Sequence, residues 1–375
     1  AEGDVVRAAF AVNLTVTTGE FELTDLAARP GGGFYAAYKA DDAIVIDMFD
    51  ATGTQIPGSG AVVVPDGSGA TGTPAVAVNA DGKILVVYEL NDGSTSDVYG
   101  RIANEDGTFD GAAFLIATTD NIGNANPVSV AALADGNFAV GYTFEEVGDD
   151  EEPAYAIVDA SGVVITDAVA SGSKASDLRS KIVVLEGGGF VLAWDGRETT
   201  TGGSQVQARV FDVDGNVLTG ILSLTPFDTA ALGAIFVELV ALDDGGFAVG
   251  YTDVDNVIGY VQCFDAKGEA VGERATVTTS GPDFERFFLT DLTLTDDGRL
   301  MVSGYSFEIG SGEPLPTATI LDPRDAVIVG TDEDDLITSH IDGAEVLGRM
   351  GADRLLGQES DDILRGGFAR DELLG

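Results

Sequence analysis

Residues 187–194 read Gly-Gly-Gly-Phe-Val-Leu-Ala-Trp, a glycine turn running into a short apolar strand with an aromatic four places after its leading residue, Phe190. The unit recurs, with leading residues Phe34, Ile84, Phe138, Phe190, Phe247 and Leu300 at intervals of 50, 54, 52, 57 and 53 residues. The matching aromatic is Tyr38, Tyr88, Tyr142, Trp194 or Tyr251 in five copies. In the sixth, Gly304 takes that place and Tyr305 follows, which predicts a bulge or a slipped register.

Downstream, each copy has a second strand ending in an acidic turn. Phe49-Asp50-Ala51-Thr52-Gly53, Val158-Asp159-Ala160-Ser161-Gly162, Phe211-Asp212-Val213-Asp214-Gly215 and Phe264-Asp265-Ala266-Lys267-Gly268 share the pattern, and copy two reads Ala103-Asn104-Glu105-Asp106-Gly107. Asp or Asn accepts a hydrogen bond from the backbone two residues on, and Gly takes a positive φ, so the pair is chemistry for reversing a strand. A calcium loop needs further spaced oxygens and a distal Glu, which even Asp212, Asp214 and Gly215 do not supply.

Each copy thus offers about four strands, and helix-period runs with caps are hard to find. The reading is all-β, with residues 1–325 forming a β-propeller of six blades, seven being left open, and residues 326–375 a separate tail. The sixth copy lacks a last strand, because Leu321-Asp322-Pro323-Arg324 runs into the tail; the apolar segment Val5 to Val16 is expected to close the ring by pairing there. The repeat resembles Asp-Gly-Gly-Phe-x-Val-x-Trp and Phe-Asp-x-x-Gly repeats of large bacterial secreted and adhesin-like proteins. That resemblance implies rim loops with a binding role.

The tail follows a register of nine. Units begin at Gly330, Ser339, Gly348, Gly357 and Gly366; the sixth position reads Asp335, Ala344, Asp353, Asp362 and Asp371, and the eighth Ile337, Val346, Leu355, Leu364 and Leu373. Each unit predicts a tight turn and a short strand whose eighth side chain points inward. Residues 330–374 hold 12 acidic side chains against four Arg, so mutual repulsion opposes folding unless a cation enters. The pattern resembles the calcium-binding nonapeptides of the RTX (hemolysin-type) family, exported by type I machinery. The resemblance implies a parallel β-roll binding Ca2+, with Asp335, Asp353 and Asp371 in one row and Asp362 beside Ala344 in the other. Gly330, Gly348, Gly351, Gly357 and Gly366 would shape the metal turns. Ser339, Ala344 and Ala369 depart from the motif.

A formal net charge of −44 disfavours nucleic acid and anionic membrane surfaces as partners. Hydrophobic residues make up 45% of the chain, enough for a sizeable core. No apolar run approaches the roughly 20 residues of a transmembrane helix. Ala1-Glu2-Gly3-Asp4 lacks signal-peptide regions, so either the start is trimmed or export uses another signal. Cys263 is the single cysteine, read as a small buried hydrophobe, which excludes a disulfide and a Cys-based zinc cluster.

His340, the only histidine, falls in the degenerate second nonapeptide, which argues against a Ser-His-Asp triad and excludes a three-His zinc site. Trp194 reads as a blade aromatic rather than a sugar platform, because tyrosines stand in the equivalent places. The acidic run Glu145 to Glu152 reads as a solvated loop. The first functional reading is a secreted, non-enzymatic, calcium-stabilised adhesion module whose rim binds an extracellular polysaccharide or a cell-surface protein. The alternative is a secreted propeller enzyme, a glycoside hydrolase or polysaccharide lyase, working through paired carboxylates that sequence alone cannot locate. A scaffold segment of a much larger protein is a third.

Overall fold

Strands that alternate apolar residues on both faces can be stable only when both faces are covered, and the chain meets this demand with a succession of small antiparallel sheets. The computed structural model describes residues 21–41, 43–64, 69–91, 95–119, 128–144, 151–170, 178–197, 204–225, 234–253, 258–277, 284–295, 298–308, 314–321, 327–329, 336–338, 345–348, 350–356, 363–367 and 370–374. The chain divides into two compact units, Ala1–Val237 and Glu238–Gly375.

In the first unit, sheet one is β1 to β4 (Phe21–Ala28, Phe34–Ala40, Ala43–Phe49, Ala61–Val64) and sheet two is β5 to β8 (Ala70–Val78, Ile84–Asn91, Ser96–Ala103, Phe114–Thr119). Sheet three is β9 to β12 (Ser129–Ala132, Phe138–Phe144, Glu152–Val158, Val164–Val169) and sheet four is β13 to β16 (Leu178–Val184, Phe190–Arg197, Ser204–Phe211, Leu222–Ser223). Each is an antiparallel meander in chain order, the blade of a β-propeller. All six residues that lead the sequence repeat open the second strand of a sheet.

Cores lie between successive sheets. Tyr35, Ile46 and Met48 of sheet one meet Val76, Val86 and Tyr88 of sheet two, whose other face sets Leu85, Val87 and Val98 against Phe138, Val140 and Tyr142 of sheet three. Ala139, Tyr155 and Ile157 then meet Ile182, Leu192 and Trp194 of sheet four. Each large apolar side chain so buried contributes about 1.5–3 kcal/mol.

Sheet five, whose first strand begins in the last residues of the first unit, is β17 to β20 (Ala234–Ala241, Phe247–Asp253, Ile258–Phe264, Ala270–Val277), and sheet six has three strands, β21 to β23 (Phe284–Leu294, Leu300–Glu308, Pro314–Leu321). Their shared core joins Ala248, Val261 and Cys263 to Phe287, Leu289, Leu300 and Val302. The irregularity expected in the sixth copy is a register shift between Leu289 and Asp291, opposite Gly304 and Ser303, and Tyr305 is exposed. Val5 to Val16 lies outside the described residues.

The tail forms strands of three residues, β24 to β29 (Val327–Val329, Leu336–Thr338, Glu345–Leu347, Arg354–Leu356, Ile363–Arg365, Glu372–Leu374). Alternate strands pair in parallel, β24-β26-β28 and β25-β27-β29, with Ile337 opposite Leu355 and Leu355 opposite Leu373. The eighth-position residue is the middle of its strand in each nonapeptide. Leu355 is buried, whereas Leu373, in the last unit, is exposed.

One five-residue turn closes every described hairpin in the six antiparallel sheets at the end of first and third strands. At Asp212, for example, the backbone N–H donates to Asn216 O and Gly215 N–H donates back to Asp212 O, with Gly215 at φ 83°. The preceding-strand residue differs between sheets in an instructive way. Where second and third strands begin and end in stacked phenylalanines (Phe34 on Phe49, Phe190 on Phe211, Phe247 on Phe264), Gly33, Gly189 or Gly246 precedes the pair. A Cβ at Gly189 would overlap the carbonyl oxygen of Phe211. Sheets without the stack carry Lys83, Asn137 or Arg299 instead. Gly189→Ala should therefore destabilise the chain by about 1–3 kcal/mol, against under about 0.5 kcal/mol for Asn137→Ala. Equilibrium denaturation of the two variants checks this contrast.

Candidate functional site

The two ends of the blades differ chemically. At the turn end, the polar side chains are consumed locally: Asp50 Oδ1 accepts from the Thr52 and Thr54 N–H groups, Asp159 Oδ1 from Ser161 and Val163, and Asp265 Oδ1 from Lys267 and Glu269. Hydrogen bonding, first from the Asn216 side chain, holds the Asp212 carboxyl below its ordinary range. These contacts bear out the reading of the acidic turns as strand reversals. Neighbouring turn ends also bond each other: Asn79 Nδ2 donates to Gly136 O at 2.6 Å and the Tyr155 hydroxyl to Gly215 O at 2.7 Å.

The opposite end, where second strands finish and first strands begin, collects buried polar groups. Glu89 in β6, Thr143 in β10, Asp195 in β14 and Thr252 in β18 are each the residue after the blade aromatic, and all are buried. Alternation explains the placement. Tyr88 faces sheet one with Val86, so Glu89 shares the opposite face with Leu85 and Val87, toward sheet three. Its Oε2 atom is buried and has no hydrogen-bond partner among the described residues. Burial alone pushes the Glu89 carboxyl from its ordinary 4.5 up to about 8, so it stays protonated at neutral pH. Asp195 occupies the same strand position in sheet four and is 5% exposed. Asp97, at the start of β7, has a buried Oδ1 without a hydrogen bond among the described residues, on the sheet face opposite Glu89.

Other acids are structural. Asp47 accepts hydrogen bonds from the Tyr38 hydroxyl and Gln55 Nε2, each at 2.9 Å. Trp194 is fully buried and donates from Nε1 to Gln207 Oε1, so it is the blade aromatic the repeat predicts and offers no face to a sugar. Burial, then the nearby Asp244 charge, pushes the Cys263 thiol up to about 12, as suits an inert core residue. Residues 145–150 of the acidic run and His340 lie outside the described residues.

Of the residues expected to bind metal, Gly330, Asp335, Gly357 and Asp362 also lie outside the described residues. Gly348, Gly351, Asp353, Gly366 and Asp371 are described. Asp371 Oδ1 accepts from the Asp353 N–H at 3.1 Å, so these two units are brought together. A Cβ on Gly348 would overlap the Asp353 carboxylate, and one on Gly366 that of Asp371, so each aspartate folds over the glycine of its own turn. Among the described residues no three His, Cys, Asp or Glu side chains gather in a group able to hold a metal ion. No helix among them is long and apolar enough to cross a membrane.

No family model and no curated protein matches the chain. Solved structures do. A protein of unknown function from Dyadobacter fermentans aligns at 14% identity over 81% of this chain and 95% of that one, with a TM-score of 0.53. An α-L-arabinofuranosidase of Fusarium graminearum in complex with an iminosugar inhibitor aligns at 10% identity over 80% and 93%, TM-score 0.53. An α-L-arabinanase of Penicillium chrysogenum complexed with arabinobiose aligns at 14% identity over 81% and 93%, TM-score 0.50. At such identities the likeness is one of fold, and it is a likeness to propellers. It overturns the identification with the RTX, hemolysin-type family and with adhesin-like repeats, for which nothing matches. Among the described residues, the turns of the tail bring two aspartates together by a backbone hydrogen bond and assemble no metal-binding group.

The residues that sequence reasoning missed are Glu89 and Asp195. Their signal was available: the place after each blade aromatic falls inside a strand buried on both faces, where an ionisable group is costly.

Because Glu89 holds its proton to about pH 8 when folded while the unfolded chain ionises near 4.5, its stabilising contribution is complete below pH 4.5 and is lost as pH rises to 8. Glu89→Gln lacks this linkage. Denaturant unfolding at about pH 5 and about pH 8 should show wild type losing stability relative to the variant; a constant difference would contradict the burial of a protonated carboxyl.

Proposed function

We propose that the chain is a carbohydrate-processing propeller that hydrolyses glycosidic bonds of a polysaccharide through carboxyl groups, with Glu89 as the proton donor. The observation that carries the reading is the protonated, desolvated Glu89 carboxyl at the end of the blades where polar groups are not consumed by turns. The fold shared with structures described as an arabinofuranosidase and an arabinanase supports it, and arabinan is the first polymer to try.

Glycoside hydrolysis uses a carboxylic acid to protonate the departing oxygen and an ionised carboxylate to deliver water or attack the sugar. Glu89 has the raised proton affinity the first role requires. Asp195, in the equivalent position two sheets along, is a second buried carboxyl at this end of the blades.

Incubation of the full chain with arabinan and other neutral and acidic polysaccharides should release new reducing ends. Glu89→Gln should lower kcat by about 100-fold or more with thermal stability at neutral pH retained, and the wild-type rate should fall as pH rises through about 8. Glycan binding with no products from any polymer would instead support a non-catalytic binding module, and a fully active Glu89→Gln would remove Glu89 from the chemistry.

A further inference from the structure

Three buried hydroxyls face the junction of sheets three and four. Ser129 in β9, Thr143 in β10 and Ser180 in β13 are 8%, 2% and 0% exposed, and none of their oxygens has a hydrogen-bond partner among the described residues. Gly141 lies beside the two serines. A Cβ built on it would lie 2.7 Å from Ser129 Oγ, 3.0 Å from Leu192 Cδ1 and 3.6 Å from Ser180 Oγ, so the two serine oxygens approach the same backbone site from different sheets. Thr143 follows two residues later on the same strand face.

The corresponding place in the second unit is built differently. Gly250 is the equivalent of Gly141, and there the approaching atoms are the apolar Cδ1 and Cδ2 of Leu289 and Cδ2 of Leu292. Thr252, the equivalent of Thr143, has its Oγ1 satisfied by the Leu289 N–H at 3.0 Å. Sheets five and six therefore close this junction directly, with a leucine and one side-chain bond. At Gly141 two serine oxygens join Leu192 at the same place, and Thr143 lacks the donor that Thr252 has. An unsatisfied buried hydroxyl costs about 1–3 kcal/mol, and three in one place would consume a large share of a domain's net stability.

We propose that Ser129, Thr143 and Ser180 form a binding site for an internal water molecule that bridges sheets three and four. A water in a polar recess with two to four partners is retained as part of the structure. The site is independent of Glu89, which faces the other junction of sheet three.

Two measurements on the full chain test it together. A high-resolution crystal structure should show an ordered solvent oxygen within hydrogen-bonding distance of Ser129 Oγ and Ser180 Oγ. In a double-mutant cycle with Ser129→Ala and Ser180→Ala, the unfolding constant of the double variant should depart from the product of the single effects by about 2-fold or more, because both serines hold one shared molecule. Hydroxyls turned onto main-chain carbonyls with no solvent density, or strictly additive effects, would overturn the proposal.

Discussion

In sheets one to five the second strand buries both of its faces, and from this constraint the rest follows. A sheet sandwiched on two sides has no solvent-facing row in its inner strands, so alternation along β6 or β14 no longer separates core from surface. It separates one neighbour from the other: Val86 and Tyr88 go to sheet one, Leu85 and Val87 to sheet three. A polar residue inside such a strand is costly unless it is partnered or used. Glu89 and Asp195, the carboxyls that break the apolar rule, lie at the same end of their blades, which marks that end as the candidate site.

Much of the fold was legible in the sequence because its periodic signal is mechanical. Phe34, Ile84, Phe138, Phe190, Phe247 and Leu300 mark second strands since a glycine turn must precede them, and Asp50, Asp159, Asp212 and Asp265 mark third-strand ends since their carboxylates cap the next turn. Tyr305 was legible as an anomaly, and its cause is an extra residue on β21. The site was not legible by the same route. Turn chemistry is local and repeats within five residues, whereas the proton affinity of Glu89 depends on a neighbouring sheet that the sequence does not place.

The tail shows how a correct register supports an incorrect identity. Strands fall every nine residues and pair with the second unit along, as Gly and Asp spacing requires. Yet the same residues serve steric ends: Gly348 and Gly366 make room for the carboxylates of Asp353 and Asp371, and Asp371 reaches the Asp353 backbone.

The uniform five-residue turn has a consequence for how such a chain can change. Because each hairpin at that end is closed by backbone hydrogen bonds within its own five residues and by its own glycine, a blade carries its termination with it and asks little of the adjoining loop. Duplication, loss or exchange of a whole blade would leave those reversals intact, while novelty accumulates on the opposite rim. Within each blade, one end is thus fixed by local stereochemistry and the other is free to diversify under selection.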